Sequence, residues 1–252
     1  MKYKNISVGI FASGKGTRFR EITKGKIPKC MVLLDKKPMV SYIVENLGCL
    51  GFKKPILLVG FLQDVVRGYF KDRVSYVVQG KCLGTGHAGK ILLDSVKDKN
   101  IKYLMIFQGD DSAFYTTKVI RNFINDFLEK KAVLSFMTVE LDDPSGYGRV
   151  IRNKKGEITE IIEKENLKKE HCKFREINAA GYIFDIDWMR ENIKKLTKHM
   201  PKGEYYLPDL IKIAIAQGEK VTGYKIPESN WVGVNTKEEY VRACKLMKKR
   251  SQ

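Results

Sequence analysis

Short apolar runs alternate along the chain with longer segments whose apolar residues recur at helical spacing. The runs of strand length occupy residues 6–11, 55–59, 74–78, 103–107 and 132–139. The predicted helices occupy residues 39–50, 63–70, 88–96 and 117–128. The first run is apolar on both faces, as a central strand covered by helices should be. Strands that alternate with helices predict an α/β fold with a doubly wound, mostly parallel sheet.

The second half of the chain adds a strand-rich part to this pattern. Residues 150–152 and 158–162 have the sequence of a β-pair around a turn that contains glycine. The last helix starts after Asn235 or Thr236, either of which would serve as its N-cap. We therefore expect one domain over residues 1–252, with a small β-rich lobe in its second half.

The balance of charge indicates anionic ligands. The chain of 252 residues has a formal net charge of +18, from 47 Lys and Arg against 29 Asp and Glu. A field of this sign attracts nucleoside triphosphates, sugar phosphates and nucleic acid. The lysine pairs are scattered among predicted turns and helix ends, which favours a solvated surface over a face that binds nucleic acid.

The cysteines and the apolar runs bear on the cellular compartment. The five cysteines form no C-x-x-C pair, which argues against a zinc site and against a disulfide scaffold. We expect no signal peptide before the first strand, and no apolar run approaches the roughly 20 residues that a membrane-spanning helix needs. We therefore expect a cytoplasmic protein.

A glycine-rich turn follows the first predicted strand. Gly14 and Gly16 are separated by one residue, and Arg18 comes shortly afterwards. Glycines let a backbone approach an anion closely, and free N–H groups at a helix start attract negative charge, so the turn suits a phosphate. It is not a Walker loop, because Gly16 stands where that motif needs Ser or Thr, nor a dinucleotide fingerprint, because Phe19 replaces the third glycine. On these residues alone, an ordinary strand–helix turn is an equal alternative.

A second glycine-rich turn begins at Gln79. Its side-chain amide has the donor and the acceptor that are needed to read the edge of a base. His87 in the same turn fits a helix-start histidine bonded to nearby backbone better than it fits a catalyst.

Two further stretches carry charged residues that suit a metal ion or a phosphate. Asp110 and Asp111 come after the strand at 103–107, where open α/β sheets bind ligands and where a carboxylate suits Mg²⁺. Asp111 could equally cap a helix or face water. Lys29, which follows a proline, is either a point charge for a triphosphate or a solvated lysine.

These segments occur in the order and at the spacing of one known family. The matching motifs lie at residues 11–18, 28–29, 79–88, 109–110, 141–149, 162–163, 177–178, 203–206 and 233–235. With them the chain resembles the nucleotidyltransferase (pyrophosphorylase) domain of sugar-phosphate nucleotidyltransferases, most of all the uridylyltransferase domain of the bifunctional N-acetylglucosamine-1-phosphate uridylyltransferases. The resemblance covers almost the whole chain. It implies a Rossmann-like, doubly wound mixed sheet of the nucleotide-diphospho-sugar transferase type, with a β-rich lobe that binds the acceptor.

The resemblance also implies a role for each matching position. The catalytic residues would be Arg18, Lys29 and Asp110. Asp110 and Asn235 would hold Mg²⁺. The nucleotide would contact Ala12, Ser13, Gly14, Gly16, Gln79, Gly84 and Thr85. The acceptor would contact Gly148, Glu163 and Asn178. Because the attacking phosphate of the acceptor is already anionic, this chemistry needs position and positive charge rather than a protein base.

The chain departs from the family near the base and the acceptor. At five positions this chain has a different residue from the one usual in the family. Ser13 replaces alanine, Cys82 replaces glutamine, Gln108 replaces an aromatic residue, Ala180 replaces glycine, and Pro208 replaces a residue with a hydroxyl group. None of these belongs to the phosphate or metal machinery. The base and the acceptor are therefore the parts that the resemblance leaves open.

The residues and the resemblance are compatible with three functions. The expected one transfers UMP from UTP to a hexosamine or hexose 1-phosphate and releases pyrophosphate. The alternative within the same reaction uses CTP and a different phosphorylated acceptor for a surface polysaccharide. The alternative outside it is a regulatory or nucleic-acid-binding relative without catalysis, which salt-sensitive binding without turnover would reveal. We expect no acetyltransferase β-helix in the domain and no membrane partner. The sequence is compatible with a homo-oligomer.

Overall fold

A seven-stranded sheet carries the loops that hold the polar residues described above. The computed structural model describes residues 3–251, without the side chains of Arg18 and Ser251. Its strands are β1 (Ile6–Ala12), β2 (Leu33–Leu34), β3 (Lys37–Pro38), β4 (Ile56–Val59), β5 (Ser75–Val78), β6 (Tyr103–Gln108), β7 (Leu134–Glu140), β8 (Arg149–Arg152), β9 (Ile158–Ile162), β10 (Glu176–Asp185) and β11 (Val221–Ile226). Its helices are α1 (Arg20–Thr23), α2 (Met39–Cys49), α3 (Gln63–Phe70), α4 (Thr85–Ser95), α5 (Thr117–Lys130), α6 (Ile186–Asn192), α7 (Asp209–Ala216) and α8 (Lys237–Ser251).

The large sheet is mixed. Its strand order is β11-β7-β10-β6-β1-β4-β5. Neighbouring strands are parallel except around β10, which is antiparallel to both β6 and β7. Since β1 lies between β4 and β6, the loops that leave these three strands meet at one edge of the sheet. The predicted doubly wound α/β fold is confirmed, with one reversed strand inside it.

Helices cover both faces of the sheet and bury separate sets of apolar side chains. On one face, α2, α3 and α5 pack with Val8 and Ile10 of β1. On the other face, α4, α6 and α7 pack with Phe11 and Leu58. Successive side chains of β1 thus enter opposite layers, which explains why its sequence is apolar throughout.

The β-pair of the second half forms as predicted. Strands β8 and β9 are antiparallel, with Arg149 opposite Ile162. Val150, Ile158 and Ile161 are buried in the same apolar cluster as α7. This hairpin therefore stands on the helical layer rather than in the large sheet.

The segment between β1 and α2 is folded into short elements. It contains the helix α1, a 3₁₀ turn at Lys29–Met31 and the two-residue strand β2. Phe19, Val32 and Leu34 are buried there against α8. Elements of three or four residues show no periodicity in a sequence, and tertiary packing of this kind is what stabilises them.

The last helix begins with reciprocal hydrogen bonds. The Thr236 hydroxyl accepts from the N–H of Glu239 at 3.2 Å, and the Glu239 carboxylate accepts from the N–H of Thr236 at 3.0 Å. This capping box settles the N-cap on Thr236. Among residues 3–251, no helix combines the length and the apolar sequence that crossing a membrane requires.

Candidate active site

An open cleft of about 580 Å³ lies at the edge of the sheet where β1, β5 and β6 end. Ligands of open α/β sheets bind at this edge. Many of the residues singled out in the sequence line it together: Ala12, Ser13, Gly14, Gly16, Lys29, Gln79, Gly84, Thr85, Asp110 and Asn235. Arg18 belongs to a 3₁₀ turn, Thr17–Phe19, but its side chain lies outside the described part of the structure. The structure brings these loops to one place, and their contacts with a ligand stay predictions.

The turn after β1 depends on Gly16. This residue has a φ of 57°, which is unfavourable for any residue with a Cβ. A Cβ here would also lie 2.7 Å from Cβ of Lys29. Gly14 is exposed, and no described atom beyond its chain neighbours lies within 4 Å of the place that its Cβ would take. The fold therefore requires Gly16, whereas Gly14 leaves space above the turn for a ligand.

The ammonium of Lys29 lies between the two predicted metal ligands. Its Nζ is 2.5 Å from Oδ2 of Asp110 and donates to Oδ1 of Asn235 at 3.1 Å. Lys29 is only 9% exposed, so these contacts are largely shielded from solvent. A shielded charge needs such partners, because its desolvation would otherwise be costly. Three loops that are far apart in the sequence therefore meet at one cation.

Asp111 is a site residue that the sequence left undecided. It lines the cleft, and its Oδ1 is buried without a hydrogen-bond partner among the described residues. Burial raises the pKa of Asp111 to about 7; Asp110 adds to this, whereas Lys29 and the backbone of Val234 oppose it. It is not a helix cap, because Thr116 caps α5 with its own hydroxyl. The pair of aspartates after a strand was the available signal, but its burial depends on distant segments.

Glu239 holds Asn235 in place, a role that the sequence did not reveal. Its Oε2 accepts from the backbone N–H of Asn235 at 2.5 Å. Its Oε1 accepts from the Tyr147 hydroxyl at 2.9 Å. Tyr147 precedes Gly148, a predicted acceptor residue, so Glu239 links the loop of the acceptor to the loop of Asn235. The capping-box spacing from Thr236 was the only sequence signal for this residue.

The oxygen atoms at this end of the cleft fit a hard cation. Asp110 and Asn235 both direct an oxygen at the Lys29 ammonium. Asp111, which adjoins Asp110, adds a buried Oδ1 without a hydrogen-bond partner among the described residues. Mg²⁺ accepts one or two carboxylates and completes its shell with waters and substrate phosphates. Within residues 3–251, no group of three or more His, Cys, Asp and Glu side chains forms a metal site. The donor set thus suits a metal held by few protein ligands.

Gln79 is buried in the wall of the cleft, where side chains hold both ends of its carboxamide. Its Oε1 accepts a short hydrogen bond from the Ser13 hydroxyl. Its Nε2 donates to the carbonyl of Gly84 at 3.4 Å and lies 3.2 Å from Nδ1 of His87. His87 is therefore bonded to a side chain, and the expected bond to nearby backbone is not among its described contacts.

Gly84 has a φ of 92°, and a Cβ there would lie 2.4 Å from the carbonyl oxygen of Tyr205.

The three predicted acceptor residues lie outside the lining of this cleft. Gly148 packs closely on Glu163, because a Cβ at Gly148 would lie 3.2 Å from the Glu163 Cα. Asn178 donates to the hydroxyl of Tyr182 at 2.7 Å. Glu163 lines a second cavity of about 350 Å³ together with Lys212, and burial raises the pKa of its carboxyl while Lys212 opposes the shift. The sequence did not predict this separation.

Tyr206 is an aromatic residue of the cleft that lies near Glu163. It lines the cleft, and the nearby carboxylates of Glu204 and Glu163 add to the burial that raises the pKa of its phenol. Its ring stacks on His199 with centroids 4.4 Å apart, and Nε2 of His199 lies 2.5 Å from Oδ2 of Asp209. The aromatic ring of Tyr206 is therefore supported by a histidine that is itself held by a carboxylate.

Ala180 has a backbone conformation that normally belongs to glycine. Its φ is 62°, at an irregularity of β10 between Asn178 and Tyr182. Its N–H donates to Oδ1 of Asn178 at 2.9 Å. The bulge therefore orients Asn178, and alanine adopts this conformation at a cost in strain.

A family model described as nucleotidyl transferase matches residues 8–250 of the chain. The bifunctional protein GlmU of Halalkalibacterium halodurans is 34% identical over 96% of this chain and 52% of that protein. The bifunctional protein GlmU of Clostridium acetobutylicum is also 34% identical, over 96% of this chain and 52% of that protein. The chain thus spans about half the length of the curated relatives it matches.

Solved structures share the architecture. UDP-glucose pyrophosphorylase complexed with UDP-glucose matches with a TM-score of 0.79 over 97% of this chain and 99% of that chain, at 20% identity. HddC from Yersinia pseudotuberculosis matches with a TM-score of 0.71 over 96% of this chain and 99% of that chain, at 22% identity. At these identities the likeness concerns the fold, a mixed sheet with helices on both faces.

Proposed function

The chain belongs to the nucleotidyl transferase family, and from that premise we propose that it joins a nucleoside monophosphate to a phosphorylated small molecule. The donor is a nucleoside triphosphate, with UTP expected, and the acceptor is a sugar 1-phosphate such as that of a hexosamine or a hexose. Pyrophosphate is the second product.

The observation that carries this proposal is the place of the Lys29 ammonium. It lies 2.5 Å from Asp110 in a cleft that begins at the glycine turn of residues 14–16. A triphosphate laid along that turn would bring its phosphates to a shielded cation. Such a cation stabilises the charge that develops on the phosphates in the transition state, where electrostatic contacts are worth most.

The proposed reaction requires no covalent intermediate with the protein. An oxygen of the acceptor phosphate attacks the α-phosphorus in line, a new P–O bond forms, and the bond to the β-phosphate oxygen breaks. The attacking oxygen is already anionic, so no side chain has to remove a proton. The residues of the cleft then serve to hold the two phosphates in line and to supply positive charge.

Mg²⁺ is the expected cofactor, with Asp110 and Asn235 as the residues that would hold it. When bound, it would neutralise charge on the phosphates of the nucleotide. Glu239 and Tyr147 support this role, because their hydrogen bonds fix the loop that carries Asn235. The second carboxyl group, Asp111, lies at the same end of the cleft, and the burial that raises its pKa to about 7 keeps part of it protonated near neutral pH.

The acceptor in this proposal lies on the side of Gly148, Glu163 and Asn178. Glu163 and Asn178 offer a carboxylate and an amide, which suit the hydroxyl groups of a sugar. Tyr206 lines the cleft and lies close enough to Glu163 for that carboxylate to contribute to the raised pKa of its phenol. An acceptor phosphate in the cleft with its sugar beyond Tyr206 would use both cavities.

A pyrophosphate-release assay tests the proposal. Each of UTP, CTP, ATP and GTP is paired with a panel of hexosamine 1-phosphates, hexose 1-phosphates and other phosphorylated acceptors, in Mg²⁺ and in EDTA. We expect turnover with UTP and at least one sugar 1-phosphate, and loss of turnover in EDTA. Turnover with CTP alone would favour the cytidylyltransferase alternative, and no turnover with any triphosphate would contradict the proposal.

A further inference from the structure

The cleft has a charged part and an uncharged part. Of the lining residues whose side chains the structure describes, the cations are Lys15 and Lys29, which belong to the glycine turn and to its neighbouring loop. The wall formed by Gln79, Cys82 and Gly84 carries no charge. Under the proposed function, on which this inference rests, the triphosphate takes the first part and the base takes the second.

The uncharged wall contains a hydrogen-bonded pair of side chains, Ser13 and Gln79. The two residues are 5% and 4% exposed, so water has little access to their polar atoms. The Ser13 hydroxyl donates to Oε1 of Gln79. On the other side of the carboxamide, Nε2 faces the Gly84 carbonyl and Nδ1 of His87. Both polar atoms of the carboxamide therefore have a neighbour within the protein. Oε1 can still accept a second hydrogen bond, and the contact of Nε2 with Gly84 is long, so the carboxamide can also bond a base that lies against the wall.

These neighbours favour one orientation of the carboxamide. A carbonyl oxygen only accepts, so the Gly84 contact requires Nε2 on that side. If the carboxamide were reversed, two oxygens would face each other at Gly84. The Ser13 oxygen could then accept from Nε2, but the hydrogen of its buried hydroxyl would lose its acceptor. His87 does not choose between the orientations, since Nδ1 donates in one tautomer and accepts in the other. The Gly84 contact is long at 3.4 Å and favours this orientation only weakly by itself, so the hydrogen bond from Ser13 adds to the preference.

We propose that Ser13 is a specificity-determining residue that sets the choice between uracil and cytosine by fixing the orientation of the Gln79 carboxamide. On the edge that distinguishes them, uracil presents a ring N–H donor beside a carbonyl acceptor, and cytosine presents a ring nitrogen acceptor beside an amino donor. A carboxamide held in one orientation complements one of these orders. A carboxamide that can turn by half a rotation complements both.

The hydroxyl is separable from the other contacts of Ser13. Its backbone oxygen accepts from the N–H of Phe61 at 3.2 Å and from the thiol of Cys82 at 3.8 Å. Both contacts survive in Ser13→Ala, which removes only the hydroxyl. Ser13→Thr keeps a hydroxyl at the same carbon and serves as the conservative variant. Ser75→Ala, at an exposed position of the edge strand β5, is the matched control.

The test is the ratio of the dissociation constants for UTP and CTP. It is measured by calorimetry on the full chain with Mg²⁺ and without acceptor, after a melting curve has shown that each variant is folded. We expect the wild type to prefer one pyrimidine and Ser13→Ala to move the ratio towards one by about fivefold, the weight of one hydrogen bond. Ser13→Thr should restore the preference, and Ser75→Ala should leave it within twofold.

Two results would overturn the proposal, and they differ from each other. A wild type that binds a pyrimidine triphosphate, with Ser13→Ala at the same ratio within twofold, would refute the role of Ser13 alone. A wild type that binds no nucleoside triphosphate would refute the proposed function, and this inference with it. A preference of the wild type for CTP would change the expected substrate and would still support Ser13 if the ratio moved towards one in Ser13→Ala.

Discussion

The ammonium of Lys29 and the carboxylate of Asp110 lie 2.5 Å apart, although they come from different loops of the fold. Asp110 follows β6, and Lys29 begins the 3₁₀ turn after Pro28. Their side chains are 11% and 25% exposed, so solvent screens the pair only in part. Removing one partner leaves the other without its counter-charge. A substitution at either position therefore affects both the binding of phosphates and the local structure, and turnover and unfolding have to be measured separately.

Lys29→Met keeps most of the aliphatic stem and removes the charge. We expect kcat/KM for the nucleoside triphosphate to fall on the order of 10²–10³, because one electrostatic contact to a transition state is typically worth that much. Lys90→Met breaks an exposed pair with Asp94 and serves as the control, with turnover within about twofold of the wild type. Steady-state pyrophosphate release measures both variants. Equal losses in the two would contradict a special role of Lys29.

Gly84→Ala and Gly80→Ala form a matched pair in the second glycine-rich turn. Gly84 has a φ of 92°, and a Cβ would lie 2.4 Å from a backbone oxygen of Tyr205 that cannot rotate away. We expect Gly84→Ala to lower the free energy of unfolding by more than about 2 kcal/mol and to raise KM for the triphosphate.

Gly80 has open space around its Cβ position in the described chain. Gly80→Ala is expected to stay within about 1 kcal/mol of the wild type. Urea unfolding of both variants makes the comparison, and an equal effect would contradict the close packing of Gly84 on Tyr205.

Ala180→Gly is expected to stabilise the protein. Ala180 has a φ of 62°, where an L-residue costs about 1–2 kcal/mol and glycine does not. Part of this gain is offset by the greater freedom of glycine in the unfolded chain, so we expect a net gain of about 0.5–1 kcal/mol. Ala179→Gly, one position earlier in β10 and not left-handed, should instead lower stability. Thermal unfolding decides, and a loss in both variants would show that Ala180 is not strained.

Asp111 should make stability depend on pH. Burial raises its pKa to about 7, above the value of about 3.9 for an unfolded aspartate. Between these values the folded state holds a proton that the unfolded state has lost. The stabilisation is therefore complete below about pH 4 and is lost as the pH rises through about 7.

Asp111→Asn removes this titration with little change of shape. Its melting temperature, relative to that of the wild type, should increase from pH 5 to pH 8 in the absence of nucleotide and metal. A difference that is constant over this range would contradict the raised pKa.

Much of the fold could be predicted because long apolar segments carry their own periodicity. The strands at Ile6–Ala12 and Tyr103–Gln108 were found within one residue, and so was helix Gln63–Phe70. The short helix Arg20–Thr23 was missed, because four residues cannot display a helical period and their stability comes from packing against the last helix.

The candidate site was predictable in its parts but not in its connections. Gly16 and Lys29 could be singled out locally, as a glycine in a turn after a strand and a lysine after proline, but each also had an ordinary alternative until the other motifs were read with them. The burial of Asp111, the bond between Ser13 and Gln79, and the hold of Glu239 on Asn235 all join loops distant in sequence. Such contacts depend on the packed sheet, and no spacing along the chain encodes them.

Asp110→Asn probes the role of the Asp110 charge in turnover, because it keeps the shape of the side chain and removes the charge that faces Lys29. Pyrophosphate release is measured with UTP, an accepted sugar 1-phosphate and Mg²⁺, beside the wild type and the exposed control Asp94→Asn. We expect the wild type and Asp94→Asn to turn over alike, and Asp110→Asn to be slower by a factor on the order of 10²–10³. Near-full turnover by Asp110→Asn at the same Mg²⁺ concentration would contradict this role.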